Sequence, residues 1–116
     1  MPVLFSVPRG GFTFETTAQV WAPGAPEAGA LAVTCRVVAP ARFETLLEDN
    51  VAGRLSNADL VRALVVSWGL VYDDGTPIPP GSDEAGALLD HTWIARPILD
   101  AYGAALSAAI AGNLGP

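Results

Sequence analysis

The sequence predicts an α+β domain: an N-terminal antiparallel β-hairpin, two to three strands in all, packed against about four helices, the last of them the longest. Three observations predict it. Two stretches before Pro40 alternate apolar and polar residues and are joined by a loop. Beyond Pro40, apolar residues recur at helical spacing. Between the helical stretches lies a joint dense in Pro, Gly and Asp, from Trp68 to Asp90.

Val3-Leu4-Phe5-Ser6-Val7 is a short apolar run and a candidate third strand, broken by Pro8-Arg9-Gly10-Gly11. From Phe12 the pattern alternates. Phe12, Phe14, Thr16, Ala18 and Val20 share one face, and Thr13, Glu15, Thr17, Gln19 and Trp21 share the other. The loop 22–29 is rich in Pro, Ala and Gly. Leu31, Val33, Cys35 and Val37 then face one way, with Ala32, Thr34, Arg36 and Val38 opposite. So small a sheet is marginal alone and must lay its apolar face on helices.

Pro40 suits a first helical turn. Phe43, Leu46, Leu47 and Val51 come next at helical spacing, and Gly53 ends that helix. Ser56 with Asp59 resembles a capping box for a second helix, along which Leu60, Leu64 and Trp68 fall in line. Next comes the joint. Asp74-Gly75 marks a tight turn between two short extended arms, Val71-Tyr72 and Thr76-Pro77-Ile78. Pro77, Pro79 and Pro80 lack backbone donors and exclude a regular element there. Ser82 caps a short third helix, with Asp83 and Glu84 favoured by its dipole. Thr92 is a candidate cap for the last helix, which carries Ile94, Ile98, Tyr102, Leu106 and Ile110 on one line. Pro97 is expected to kink its first turn or to push its start to Arg96. Many alanines make the helix thin-walled, and Gly112 is expected to stop it. Residues 1–116 thus read as one domain: a hairpin region 3–39, a helical region 40–112 and a frayed tail 113–116.

Six basic residues, all Arg, stand against 12 acids, for a formal charge of −6. Nucleic acid is a poor partner, because phosphate binding needs a basic face. No apolar run is expected to reach the roughly 20 residues that a bilayer requires, and the N-terminus does not resemble a signal peptide. A cytoplasmic protein is the expectation. A single cysteine excludes an internal disulfide framework.

Site-like features are sparse, and a catalytic, cofactor or metal site is not expected. Asp73-Asp74 lacks the further alternating acids of an oxygen-ligand loop and reads as a solvated turn. His91 is the only histidine, so no second imidazole is available for a metal. Cys35 could act as a nucleophile with His91, but its inward place on a strand suits a small hydrophobe. Of the three tryptophans, Trp68 is explained by core packing, whereas Trp21 falls on the polar face of its strand. Exposed tryptophans favour interfaces.

The joint and the last helix carry a resemblance. Trp68-Gly69-x-Val71, the acidic turn closed by Gly75, Pro77-x-Pro79, Ser82, Glu84 and Leu88-Leu89-Asp90 resemble the middle of the tail assembly chaperones of long-tailed phages. Ile98-Leu99-Asp100-Ala101-Tyr102 with Ala104-Ala105-Leu106 is similar to that family's last helix. The likeness runs from about Leu55 to Leu106 and lies in the order and spacing of the set. The chain departs from the family in having no lysine.

The resemblance implies a non-catalytic chaperone of the host cytoplasm, absent from the mature virion. It would bind and solubilise the tape-measure protein, help recruit tail-tube protein and self-associate along its client. It also implies that a longer form arises by frameshifting near residues 112–116. On this reading the partner surface comprises Trp21, Trp68, Ile98, Tyr102 and Leu106. The alternatives are a structural virion component, such as a tail-completion or tube-associated subunit, and a small enzyme.

Overall fold

The computed structural model describes residues 4–114. Val3 of the apolar run, and Gly115 and Pro116 of the tail, lie outside the described residues. The order of elements is β1 (Thr13–Val20), β2 (Gly29–Arg36), α1 (Pro40–Val51), α2 (Asn57–Leu64), β3 (Val65–Trp68), α3 (Asp83–Leu89) and α4 (Thr92–Leu114). This is an α+β fold: a three-stranded antiparallel sheet in the order β1-β2-β3, with four helices of which α4 is the longest.

The hairpin arises from its alternation. Thr13 pairs with Arg36 and Val20 with Gly29, without interruption between. Ala18, Leu31, Val33 and Cys35 point inward and are buried, while Thr13, Glu15, Thr17 and Gln19 face out. Val37, expected on the inner face, is exposed, because it lies past the end of β2.

The third strand is not where the sequence put it. Residues 4–7 form no strand. The sheet instead takes Val65–Trp68, expected as the last turn of α2. That helix ends at Leu64, and Val65 turns extended at φ −100, ψ 125. Two physical reasons agree. Val65 and Val66 are β-branched and lose little in an extended chain. Their backbone groups also satisfy the open side of β2, pairing Val33 with Trp68 and Cys35 with Val65 across a bulge.

The helices start as their residues direct. Pro40 opens α1, whose C-cap Ala52 is followed by Gly53 at φ +80. Val51 falls on the expected apolar line but is 89% exposed. The Ser56 and Ser82 hydroxyls accept from the amides of Asp59 and Ala85.

In α4, Pro97 does not push the start to Arg96, and Gly112 is not the stop. The helix starts at Thr92 and carries Pro97 inside, the missing amide leaving one carbonyl near the helix start without its donor. It runs past Gly112 to Leu114. A helical Gly costs only about 1 kcal/mol relative to Ala, too little to end a helix by itself.

One core unites these elements. Leu60, Val61 and Leu64 of α2 and Leu89 of α3 meet Ile94, Ala95, Ile98 and Tyr102 of α4. Helix α4 lies across β1 and against α2. Over Thr92–Gly112 it is also long and apolar enough to cross a bilayer by length and composition, which corrects the expectation drawn from the sequence. Alanines and isoleucines supply that hydropathy. Ile94, Ala95 and Ile98 in the first half of the helix are buried in the core, and that half also carries the Arg96–Asp100 ion pair.

Candidate interaction surface

Four of the five residues named as a partner surface are internal or partly so. Ile98 and Tyr102 are 1% and 0% exposed and belong to the core. Their spacing of four marks the buried line of α4, not an open one. Tyr102 sits between Phe14 and Phe43, with ring centroids 5.4 and 5.0 Å away. Its hydroxyl donates to the Arg36 carbonyl at 3.0 Å and accepts from the Val38 amide at 3.2 Å, which pins the end of β2. Leu106 is half-buried against the core.

Trp68 is half-buried as well. Its indole N–H donates to the Ile78 carbonyl at 2.6 Å, so it ties β3 to the arm beyond the turn. Around that turn, Val71 bridges Pro77, the Tyr72 amide donates to Thr76, and Gly75 takes φ +87. The Asp74 carboxylate accepts from the Thr76 amide at 2.9 Å, and hydrogen bonds from the Thr76 side chain first and this amide second hold its pKa below the ordinary 3.8. Asp74 is thereby occupied as a turn-former.

Trp21 is different. It is 57% exposed, yet held in place: its indole N–H donates to the Ala25 carbonyl at 2.9 Å across the hairpin loop. Trp93, on the first turn of α4, is 37% exposed and lies 5.7 Å from the His91 ring. The two indoles line one open cleft with Gln19, Arg96 and Pro97. On its other side Trp93 borders a second cleft of about 550 Å³, walled by Val20, Leu70, Tyr72, Leu88 and Ile94. Val71 and Tyr72, both exposed, continue the apolar surface toward the turn, with Asp73 on the wall of that second cleft. The loop end of the hairpin, the start of α4 and the joint thus present one continuous aromatic surface.

Sequence reasoning named Trp21 but not its neighbours. Trp93 and Tyr72 were legible only as a helix start and a strand end. It also missed Arg62, the pin beneath the joint. Arg62 Nε donates to the Pro80 carbonyl at 2.9 Å and Nη2 to the Ser82 carbonyl at 2.8 Å. A single basic residue among the apolar Leu60, Val61, Ala63 and Leu64 was the available signal.

The side chains that line this surface are mainly apolar and aromatic. Among the described residues no group of three or more His, Cys, Asp and Glu could hold a metal. Cys35 is fully buried, and burial pushes its thiol up to about 11, away from the thiolate that a nucleophile requires. Comparisons with protein-family models, with curated proteins and with solved structures find no match.

Proposed function

We propose that this chain is a non-catalytic tail assembly chaperone, which binds and solubilises a tape-measure protein and helps recruit tail-tube protein. The observation that carries the reading is the aromatic surface formed by Trp21, Trp93 and Tyr72. It is supported by the resemblance of the segment 55–106 to that family. A client-binding protein needs apolar surface that is accessible yet held rigid, so that little entropy is lost on binding. Trp21 and Trp93 meet both conditions, one fixed by its indole hydrogen bond and the other by its helix. The client docks here, and not on Ile98 or Tyr102, which have no surface to offer. A formal charge of −6 keeps such a protein soluble with its apolar surface uncovered.

The test is co-expression with the long, helix-rich protein encoded downstream, the expected tape measure. The wild-type chain should render it soluble and co-purify with it. A Trp21→Ser/Trp93→Ser double variant should fold normally and lose the client. A client that stays insoluble, with this chain found instead in mature particles, would replace the chaperone by a structural virion component.

A further inference from the structure

A second apolar surface lies at the opposite end of the hairpin from Trp21, where β1 begins and β2 ends. Here an arm and a groove sit side by side, each without an occupant among the described residues. The arm is residues 4–11. It exposes Leu4, Phe5 and Val7 at 87%, 83% and 67%. Its contacts are local: Phe5 rests on Phe12, and the Gly11 amide closes a turn onto the Pro8 carbonyl. The groove, of about 490 Å³, runs between α1 and the far half of α4. Val37, Val38, Phe43, Leu106 and Ile110 line it. Its single charged wall residue is Glu44. The single charge of the arm is Arg9.

We propose that the arm of a second copy of this chain occupies the groove, and that two copies exchange arms across a two-fold axis. Three observations carry this. The apolar content matches, with Leu4, Phe5 and Val7 meeting walls built from aliphatic and aromatic side chains. The charges match too: Arg9 comes after the apolar residues on the arm, and Glu44 lies at the groove, so an arm seated there sets a cation against an anion. The geometry is reciprocal. The Val37 amide donates to the Phe12 carbonyl at 2.9 Å, so the root of the arm and the wall of the groove adjoin. Two copies that face each other at this point each give an arm and receive one, which closes the assembly as a dimer. Gly10 and Gly11 form the hinge. Gly11 takes φ +88, and neither has an atom within 4 Å of where a Cβ would stand. Fully extended, Leu4 to Gly10 reaches about 23 Å, enough to cross to a partner. The inference rests on the chaperone reading in no respect, since it concerns this chain alone, and its experiment needs no client.

The experiment is sedimentation velocity with light scattering on the purified chain over a dilution series. Wild type should show a mass twice that of one chain. Phe5→Asp, at a site too exposed to disturb folding, should weaken dimerisation at least about 30-fold, as expected for an aromatic anchor. Arg9→Glu or Glu44→Arg alone should weaken it about fivefold, and the double variant R9E/E44R should restore it. A monomeric wild-type chain at every concentration would overturn the proposal, as would a dimer indifferent to all of these changes. A ladder of rising masses would overturn the closed two-fold exchange.

Discussion

Among single residues, Cys35 and Tyr102 show how burial alone changes what a side chain can do. The Cys35 thiol lies at 0% exposure and its pKa stands at about 11 instead of 9.0. Burial raises the Tyr102 phenol likewise, in spite of the Val38 hydrogen bond that lowers it. Both groups are held neutral. In the unfolded chain the thiol ionises from about pH 9.0, whereas in the fold it stays protonated until about 11. Its contribution to stability is therefore whole below pH 9.0 and is lost as the pH rises through 11. The slope approaches 1.4 kcal/mol per pH unit at most, on the order of one proton per molecule. Urea unfolding at a series of alkaline pH values should show the stability gap between wild type and Cys35→Ala narrowing as pH rises. A gap that stays constant would show that the thiol does not ionise on unfolding.

At the scale of elements, the joint between β3 and α3 is held from below by one side chain of α2. Two backbone carbonyls, of Pro80 and Ser82, accept from the Arg62 guanidinium, which also lies 3.7 Å from Asp59. The proline-rich chain there has few donors of its own, so a side chain must supply them. Gly86 completes the arrangement, because a Cβ at that position would come within 3.0 Å of Arg62 Nη2. Arg62→Leu keeps the apolar stem and leaves both carbonyls without these donors. It should lower stability by about 2 kcal/mol, in the range for hydrogen bonds to charged groups. The amides of Gly81 to Ala85 should also exchange faster with solvent. Unchanged melting and unchanged exchange would together show that the clamp contributes nothing. Gly86→Ala should be milder, since the tip of an Arg can shift by a few tenths of an ångström.

Across the whole molecule, the three tryptophans divide by place. Trp68 ties the joint to the sheet, whereas Trp21 and Trp93 stand on the surface at one end. The double variant Trp21→Ser/Trp93→Ser should therefore unfold within about 0.5 kcal/mol of wild type. Trp68→Ala should lose about 3 kcal/mol. If the surface pair proved as costly as Trp68, those indoles would be structural and the docking surface would lie elsewhere. The two proposed interfaces occupy opposite ends of the hairpin. A chain can thus pair with its own kind at one end and hold a client at the other.

Much of this was legible from local chemistry. Alternation marked β1 and β2, serines marked the starts of α2 and α3, Pro40 marked α1, and Asp74-Gly75 marked the turn. Each of these signals acts within a few residues, so the chain alone determines it. Tertiary structure decided the rest. Leu60, Leu64 and Trp68 continue a helical line in the sequence, but the chain leaves the helix after Leu64 because β2 has backbone groups to satisfy. Ile98 and Tyr102 share their spacing with a docking face, but α2, Phe14 and Phe43 bury them. Periodicity names the apolar side of an element. What covers that side depends on packing between residues far apart in the chain, as in the bond from the Tyr102 hydroxyl to the Arg36 carbonyl.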